Sequence, residues 1–469
     1  MRRLILAALA LLIASWTVEA KHPLDSITGP EIASAVGVVK GDQRFAEGSA
    51  FAIVALNEPK KGAVLAGEVI PREAFVVLLD RPRNRTFEIV VDLSKRSVVR
   101  WDLIEGVQPS VVIEEYVIVP EILRSDARWQ EAMRKRGITN LDDVKIDAWA
   151  PGHLGERADG SRIVRAIFFH KETADSNWYS RPIEGVVAMI NLTTKSVIEV
   201  VDTGVVPIST DRGAFDAKSV GRLRTAPLPL RIVQPKGASF ELRGHEVAWQ
   251  KWRFHFGLDP REGLVLNRVR YVDKSTERSV LYRASLSEMV VPYGDPEGNW
   301  NWRSAFDVGE YGIGRLAAPI VKGLDAPENA TMFDFPVAND AGGVQALKNA
   351  VALFEKDAGL LWKHYDIDRD YNESRRGRQL VLMFIATVGN YDYALNWIFH
   401  QDGTLELRAD LTGIMLTKGV AQALPSADGH DHSAHAHYVA PHLVAPHHQH
   451  FFSFRLDLDV DGVSNALVE

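Results

Sequence analysis

The segment GNYDYALNWIFHQDGT (389–404) brings an amide, a phenol and a carboxylate directly after the apolar run LVLMFIATV (380–388). A buried strand commonly ends in a turn that contains Gly and Asn, so Gly389 and Asn390 suit that position. Tyr391 and Asp392 are not needed there, because a simple turn requires neither a phenol nor a carboxylate. Their presence predicts that this strand end carries chemistry.

Two histidines near the end of the chain have the spacing of metal ligands. His448 and His450 lie two residues apart in PHHQHFFSFRLDLDVDG (446–462), which then alternates as a strand. Side chains at i and i+2 of a strand share one face about 6.5–7 Å apart, so the two imidazoles could converge on one ion. Neutral imidazole suits Cu, Zn, Ni and Fe. The alternative is an exposed pair in a His-rich loop, since two ligands are too few for a tight site.

More histidines lie just upstream, in DGHDHSAHAHYVAPH (428–442). This segment has neither a strand nor a helix period and contains many small and polar residues, which is typical of a flexible loop. We therefore expect it to bind metals only loosely. Its members are His430, His432, His435, His437 and His442.

Three aspartates could also take part in a site. Asp307, in SAFDVGEYGIGRLAAPI (304–320), follows apolar residues and is expected to be buried, where a raised pKa would suit a general base. A hydrogen-bonded structural aspartate is the alternative. Asp457 and Asp459 share one face at a strand end and could hold calcium together with a backbone carbonyl. The EF-hand pattern fails, because position twelve counted from Asp457 is Val468 instead of Glu.

The elements that must position these residues belong to a chain of 469 residues, long enough for about two to four domains. The net charge of −7 gives no reason to expect a nucleic-acid partner, and the absence of cysteine excludes thiol chemistry. Residues 1–20 have the basic start, apolar core and small final residue of a secretory signal. Their apolar run of 13 residues is shorter than the roughly 20 of a spanning helix. We therefore expect a periplasmic or secreted protein without a membrane anchor.

Two small α+β domains are predicted next, at 21–110 and 111–224. Ser26 or Thr28 could cap a helix in the first domain, and Ser125 could cap a helix over Ser125–Arg136 in the second. Most of the remaining segments read as short strands.

An internal echo relates the two domains. RPRNRTFEIVVDLSKRSVV (81–99) resembles RPIEGVVAMINLTTKSVI (181–198), with Asp92 and Asn191 at equivalent positions. A duplicated module of about 100 residues would explain the echo. The alternative is that any two hairpins with a polar turn look alike.

A Pro-rich stretch at 225–240 reads as a linker. Beyond it, many strands with hairpin signals such as Asp402-Gly403 predict a large antiparallel β-sandwich over 241–469. One helix is expected inside this domain, at GVQALKNAVALFEKDAG (343–359). The predicted fold class is thus α+β followed by all-β.

Taken together, these residues resemble the copper-containing primary amine oxidases, which use the quinone cofactor topaquinone. The family's quinone motif, Asn-Tyr-Asp/Glu usually preceded by Thr-x-Gly, matches TVGNYDY (387–393). Its metal motif His-x-His matches His448 and His450. The family's base falls on Asp307, and Tyr293 in SEMVVPYGDP matches a tyrosine that hydrogen-bonds the quinone. The resemblance covers essentially the whole mature chain.

The resemblance implies Cu²⁺ at the two histidines and a topaquinone formed from Tyr391, flanked by Asn390 and Asp392. It also implies that a small primary amine and O₂ are converted to aldehyde, ammonia and H₂O₂, with Asp307 removing a proton. A homodimer is expected for the full-length protein.

Three further assignments accompany the resemblance. Two residues before the base the family often has an aromatic gate, where Ala305 would leave a wider channel. Tyr179 in NWYSRPIEG matches a channel-lining position. Asp457, Leu458 and Asp459 could bind a calcium ion.

The chain departs from the family at its end. Family members have a third histidine ligand far downstream of His-x-His, whereas Glu469 lies only 19 residues after His450. We therefore expect an incomplete sandwich, from a fragment or a truncated product, that is not catalytically competent by itself. The alternative is an inactive remnant that acts at most as a periplasmic His-rich metal-binding protein. A carbohydrate- or partner-binding sandwich would not need this combination of motifs.

Overall fold

The computed structural model describes residues 22–152, 160–173, 176–424 and 434–466. The predicted signal at 1–20 lies outside these ranges, as do His430 and His432. None of the helices in the described ranges has the length and apolar character needed to cross a membrane. Two small α+β units and a large antiparallel β-sandwich make up the fold, which confirms the predicted fold class.

The first unit contains two helices and four strands, namely α1 (Gly29–Gly41), β1 (Ala50–Leu56), α2 (Lys61–Ala66), β2 (Glu73–Asp80), β3 (Arg85–Asp92) and β4 (Ser97–Ile104). Its antiparallel sheet has the order β1-β2-β3-β4. Thr28 caps α1, because the Glu31 carboxylate reaches back to the backbone N–H and the hydroxyl of Thr28, at 2.8 Å each. Three apolar residues of α1, Ile32, Val36 and Val39, are all buried against the sheet.

The second unit repeats this plan with α3 (Glu115–Arg124), α4 (Ala127–Lys135), β5 (Val144–Trp149), β6 (Ile163–His170), β7 (Val186–Asn191) and β8 (Ser196–Asp202). The predicted helix at Ser125–Arg136 exists, but the predicted cap is wrong. Asp126 caps α4 by accepting the backbone N–H groups of Arg128 and Trp129. Ser125 instead follows the end of α3, where its hydroxyl donates to the carbonyl of Ile122 at 2.8 Å.

Hairpins β3-β4 and β7-β8 have the same turn. The side chain of Asp92 accepts from the backbone N–H groups of residues 94 and 95, and Asn191 accepts from those of residues 193 and 194. Each turn ends on a residue with positive φ, Arg96 at 53° and Lys195 at 52°. The echo in the sequence therefore corresponds to two hairpins of one geometry in two four-stranded sheets, which agrees with a duplication.

After residues 203–239, which contain no helix or strand, the described part of the chain continues in fifteen strands. They are β9 (Phe240–Arg243), β10 (Glu246–Trp249), β11 (Trp252–Asp259), β12 (Gly263–Asp273), β13 (Thr276–Pro292), β14 (Ser304–Phe306), β15 (Thr331–Ala338), β16 (Val344–Asp366), β17 (Tyr371–Val388), β18 (Tyr391–His400), β19 (Leu405–Gly413), β20 (Lys418–Gly419), β21 (Ala436–Ala440), β22 (Leu443–Pro446) and β23 (Phe451–Leu458).

Two of the resulting sheets face each other across the main core. One has the order β14-β13-β12-β11-β10-β9, with β23 also paired to β13, and the other runs β15-β16-β17-β18-β19. Phe254 of the first sheet stacks on Phe399 of the second, with ring centroids 4.1 Å apart. A small third sheet has the order β20-β22-β21. The candidate site lies where β13, β18 and β23 meet.

The helix predicted at 343–359 is wrong. These residues belong to β16, which pairs with β15 on one side and β17 on the other. Residues 350–355 are buried without interruption, so this strand lacks the alternation by which a half-buried strand is recognised. The helix-like spacing of Leu347, Val351 and Phe354 is incidental. Pairing with two neighbouring strands outweighs helix propensity, which is a weak local preference.

Candidate active site

A ladder of two tyrosines and two histidines forms the centre of the candidate site. Tyr391 and Tyr393 share one face of β18, and His448 and His450 precede β23 with the same spacing. The hydroxyl of Tyr391 lies 2.9 Å from Nε2 of His448, and the hydroxyl of Tyr393 lies 3.1 Å from Nδ1 of His450. Each contact joins residues 57 apart in sequence, so the two segments run side by side in register.

The turn between β17 and β18 fixes the position of Tyr391. Gly389 has a φ of 59°, a left-handed conformation that favours glycine. The Asn390 side chain donates to the carbonyl of Ile414 at 2.6 Å, and the backbone carbonyl of Asn390 accepts from the N–H of Ile414, also at 2.6 Å. Asn390 thereby fastens the start of β18 to the chain beyond β19.

The imidazole rings lie 5.1 Å apart between centroids. Nδ1 of His448 is 2.9 Å from the carbonyl oxygen of Pro446, which can only accept, so Nδ1 carries the proton. In the neutral ring, Nε2 of His448 therefore has the free lone pair and accepts from the Tyr391 hydroxyl. Burial, together with the neighbouring His448, lowers the pKa of His450 to about 4. The His450 ring is thus neutral near pH 7, the form that binds metals.

Tyr293, at the end of β13, covers the other side of Tyr391. Its hydroxyl lies 3.4 Å from that of Tyr391, and its ring stacks on His448 with centroids 4.7 Å apart. Burial and the neighbouring Tyr391 raise the pKa of Tyr293 well above its ordinary value. Tyr293 therefore remains a hydrogen-bond donor at neutral pH.

Asp307 follows β14 and is buried as expected, with 3 % of its surface exposed. Its backbone N–H donates to the carbonyl of Met289 at 2.9 Å, which ties it to β13. Burial raises the pKa of the Asp307 carboxyl to about 7, and the neighbouring Glu310 and Glu288 add to the effect. Its Oδ2 lies 3.4 Å from the hydroxyl of Tyr393. A carboxyl of this kind can take up or release a proton near neutral pH.

A cavity of about 190 Å³ adjoins both Tyr391 and Asp307. Ala305, the position predicted as the gate, lines it. Tyr179 is buried close to Gly389 but is not among the residues that line this cavity. Tyr179 thus lies next to the turn that carries Tyr391, and its role in lining a substrate channel stays a prediction.

The cavity residues that the sequence did not indicate include Asp147 and Tyr311. Asp147 of β5 lines it, accepts from Nε1 of Trp149 at 3.0 Å, and has its pKa raised by burial. Tyr311 lines it from the loop beyond Asp307. A carboxylate within the apolar alternation VKIDAW was the available signal for Asp147. Asp147 is far from Tyr391 in the sequence, so the sequence did not show that the two residues line the same cavity.

Asp392, which flanks Tyr391, has a local partner. Its carboxylate accepts from the hydroxyl of Thr387 at 2.5 Å across the β17-β18 hairpin. The pair Thr387 and Asp392 is also one of the registered pairs of the two strands. This contact braces the strand end that carries the phenol.

Comparison with known protein families covers most of the chain. Residues 241–469 match the family described as "Copper amine oxidase, enzyme domain". Residues 114–216 match "Copper amine oxidase, N3 domain", and residues 28–101 match "AGAO-like N2 domain".

Among individual relatives, the chain is 40 % identical over 453 residues to the primary amine oxidase of Arthrobacter sp. (strain P1), covering 96 % of this chain and 69 % of that protein. It is 37 % identical to the primary amine oxidase of Klebsiella aerogenes, covering 95 % and 60 %. It is also 37 % identical to the histamine oxidase of Arthrobacter globiformis, covering 96 % and 65 %. The chain belongs to the copper amine oxidase family. It spans 60 to 69 % of the length of these relatives.

Solved structures of amine oxidases agree with this assignment. The copper-containing benzylamine oxidase from Hansenula polymorpha superposes with a TM-score of 0.83 at 26 % identity, covering 94 % of this chain and 71 % of that one. The amine oxidase of Aspergillus nidulans, at 19 % identity and a TM-score of 0.75, shares the fold.

The donor set fits part of a copper site. Two imidazoles, with Nδ1 of His448 held by the Pro446 carbonyl so that Nε2 is left for a ligand, are suitable for copper. In the described ranges, the one group of three His, Asp or Glu ligand atoms within 4.8 Å of one another is Asp25, His245 and His255. In that group Oδ1 of Asp25 lies 2.9 Å from Nε2 of His255 and 3.4 Å from Nδ1 of His245, so one carboxylate oxygen already hydrogen-bonds both rings. His448 and His450 could therefore supply two ligands to copper, and the described ranges show no third His, Asp or Glu ligand atom grouped with them.

A lysine contacts the two aspartates that were predicted to hold calcium. The ammonium group of Lys61, from α2, lies 2.7 Å from Asp457 and 2.5 Å from Asp459. Asp459 is buried, and Lys61 is mostly buried as well. The predicted pair of carboxylates on one face is present, but a cation from the protein chain already lies between them. The structure gives no support to calcium at residues 457–459.

The His-rich segment is only partly a loop. His437 lies on the short strand β21, and its ring contacts that of His447 with centroids 4.7 Å apart. His435 accepts the backbone N–H of His447 through its carbonyl at 2.8 Å. His442, in the turn between β21 and β22, has its Nδ1 3.2 Å from the carbonyl of Val420. The prediction of a loop without strand structure is therefore wrong for His437.

Proposed function

We propose that the protein containing this chain is a copper- and topaquinone-dependent oxidase that converts primary amines, O₂ and water to aldehydes, ammonia and H₂O₂. The observation that carries the proposal is the 2.9 Å contact between the Tyr391 hydroxyl and Nε2 of His448. This contact places an oxidisable phenol against a histidine that has the lone pair to bind a metal. The membership of the chain in the copper amine oxidase family supports the same chemistry.

His448 and His450 are the residues that would hold copper in the proposed site. Copper would supply a redox-active Lewis acid beside the phenol. Tyr391 would be the residue converted to topaquinone. Tyr293 would orient its ring, since its hydroxyl lies 3.4 Å from that of Tyr391 and remains a donor at neutral pH.

Asp307 would act as the general base by accepting a proton from the carbon next to the amine nitrogen. Its pKa of about 7 is suited to this task, because a base is most effective when its pKa is near the working pH. Its burial among Glu310, Tyr311 and the strands of the sandwich keeps bulk water away from the carboxylate.

The proposed substrate is a small primary amine. The cavity of about 190 Å³ beside Tyr391 limits its size, and Ala305 leaves space where a larger side chain would narrow the entrance. Asp147 provides a second carboxylate in the same cavity. A second cationic or hydrogen-bonding group on the amine could bind there. One of the relatives is a histamine oxidase, whose named amine carries such a group.

A polypeptide limited to residues 21–469 would be inactive in this proposal. Its described residues supply two imidazoles to the metal, and a site that holds the metal firmly needs at least about three protein ligands. Such a polypeptide would bind copper weakly at His448 and His450. That behaviour would be the metal-binding alternative predicted from the sequence.

Two further properties belong to the proposal. Export to the periplasm or medium is supported by the pattern of residues 1–20. A homodimer of the full-length protein is supported by the large sandwich, whose open sheet edges would be covered by a partner.

The test uses the full-length protein that contains this chain, prepared without metal and then supplied with Cu²⁺ and O₂. We expect phenylhydrazine-reactive quinone and amine-dependent release of H₂O₂ from benzylamine or tyramine. Stoichiometric copper binding without quinone would refute the proposal. A matched control is Tyr365→Phe, because Tyr365 is an exposed tyrosine of β16.

A further inference from the structure

Tyr393 lies between two groups of the candidate site. Its hydroxyl is 3.4 Å from Oδ2 of Asp307 and 3.1 Å from Nδ1 of His450. The side chain is 1 % exposed, and its ring packs edge-on against the rings of His450 and Phe452. A buried tyrosine of a core usually needs one partner for its hydroxyl. This hydroxyl has two, and each belongs to the proposed catalytic machinery.

The chemistry of the three groups assigns the direction of each hydrogen bond. An ionised carboxylate can only accept, so the hydroxyl of Tyr393 donates to Asp307. The proton of the hydroxyl is then used, and the Tyr393 oxygen accepts from Nδ1–H of His450. This leaves the lone pair of His450 on Nε2. His448 has the same tautomer, because its Nδ1 donates to the carbonyl of Pro446.

We infer that Tyr393 is a positioning residue for the oxidation, joining the Asp307 carboxylate to the His450 ring through one hydroxyl. This inference rests on the proposed function. Through this hydroxyl, Tyr393 orients the base Asp307. It also selects the tautomer of His450 that presents Nε2 to a metal. Metal-binding histidines generally have their other ring nitrogen held by a hydrogen-bond partner, and the partner here is a neutral phenol.

The other titratable groups around Asp307 act against its ionisation. Glu310 and Tyr311 face it from its own loop, and Glu288 faces it from β13. Burial and the two glutamates raise the pKa of Asp307, whereas the hydrogen bond from Tyr393 lowers it. Loss of the Tyr393 hydroxyl should therefore make the Asp307 carboxyl harder to ionise.

The test compares the copper-loaded full-length protein with its Tyr393→Phe variant, which keeps the ring and removes the hydroxyl. Tyr282→Phe is the matched control, because Tyr282 is a buried tyrosine of β13 whose hydroxyl has no partner in the described part of the chain. Three quantities are measured: the quinone content, the pH dependence of kcat at saturating amine, and the electron paramagnetic resonance spectrum of the bound Cu²⁺.

For Tyr393→Phe we expect the acidic limb of kcat to move up by about one pH unit, since a hydrogen bond to a charged group is typically worth that much. We also expect a changed Cu²⁺ spectrum, because the His450 ring loses the acceptor for Nδ1–H. Tyr282→Phe should match the wild type in both. A purely structural role for Tyr393 would lower the amount of folded protein without moving the pH profile.

The inference is overturned if Tyr393→Phe has the wild-type pH profile and the wild-type Cu²⁺ spectrum. If the variant forms no quinone, the Cu²⁺ spectrum alone decides, with an unchanged spectrum counting against the link to His450. A wild-type protein that binds copper but forms no quinone would refute the proposed function instead. The spectra of the two copper-bound proteins would still test the role of Tyr393.

Discussion

The hydroxyl of Tyr391 and Nε2 of His448 are 2.9 Å apart, although 57 residues separate them in the chain. Because Nδ1 of His448 donates to Pro446, the phenol occupies the only free lone pair of the imidazole. A metal that binds at Nε2 must therefore replace the hydrogen bond of Tyr391. Binding of a metal at Nε2 would therefore also bring the metal next to the phenol oxygen of Tyr391.

Replacing Asp307 with Asn should leave quinone formation intact and reduce turnover by about 10²- to 10⁴-fold, the usual contribution of a general base. The amide has nearly the shape of the carboxylate but cannot accept the proton. The measurement is kcat for H₂O₂ release at equal quinone content. Turnover of benzylamine or tyramine by Asp307→Asn at the wild-type rate would remove Asp307 from the mechanism.

The buried carboxyl also predicts how stability depends on pH. The pKa of Asp307 is raised from 3.8 to about 7 in the folded protein, so between these values the folded state binds more protons than the unfolded state. The free energy of unfolding contributed by this group therefore falls as pH rises from about 4 to about 7.

Asp307→Asn lacks this contribution. Its Tm should therefore rise relative to the Tm of the wild type as the pH rises from about 4 to about 7. Glu310, whose pKa is raised to about 7 mainly by burial, is present in both proteins, and a Glu310→Gln background isolates the contribution of Asp307. Calorimetry of the metal-free proteins provides the Tm values. Parallel Tm curves from pH 4 to pH 8 would show that Asp307 is not destabilised by its surroundings.

Lys61 should make calcium unnecessary at Asp457 and Asp459. Addition of calcium or of EDTA is expected to leave the Tm of the protein unchanged, because the ammonium group already binds both carboxylates. Lys61→Met should lower the free energy of unfolding by about 1–3 kcal/mol, since a buried charged group loses its partner. Lys60→Met, at an exposed neighbouring position, serves as the control. A rise in wild-type Tm on adding calcium would contradict this assignment.

The polypeptide of residues 21–469 should bind copper without forming quinone. Two imidazoles do not fix the metal firmly, so the affinity for Cu²⁺ should be low and should fall further in a His448→Gln/His450→Gln double variant. Titration calorimetry measures the affinity, and phenylhydrazine measures the quinone. Stoichiometric quinone in this polypeptide would mean that the histidines of the 430–442 segment, or a second chain, complete the site.

Local signals in the sequence predicted local structure well. The capping box of Thr28 and Glu31 involves residues three apart, and the two related hairpins each contain their own turn residues. Their hydrogen bonds form within a few residues, so the chain alone specifies them. The helix predicted at 343–359 failed because β16 is specified by strands on either side of it, which a local period does not reveal.

Side-chain identity indicated the chemistry of the site but not its full composition. Tyr391, His448 and Asp307 were singled out because their types are unusual at their positions. Contacts such as Lys61 with Asp457, 396 residues away, depend on how whole domains pack. The same applies to Asp147, which reaches the cavity from β5 of a different unit. The spacing of residues along the chain does not reveal which distant segments contact each other in the fold.

The central claim is that Tyr391 is the precursor of the cofactor, and the most direct test is the mass of the peptide that contains it. The full-length protein is digested before and after aerobic addition of Cu²⁺, with Tyr391→Phe treated in parallel. The account predicts that copper and O₂ add two oxygen atoms to this peptide and remove two hydrogen atoms, and that the variant peptide stays unchanged. An unmodified Tyr391 in a copper-bound, aerobically treated protein would contradict the account.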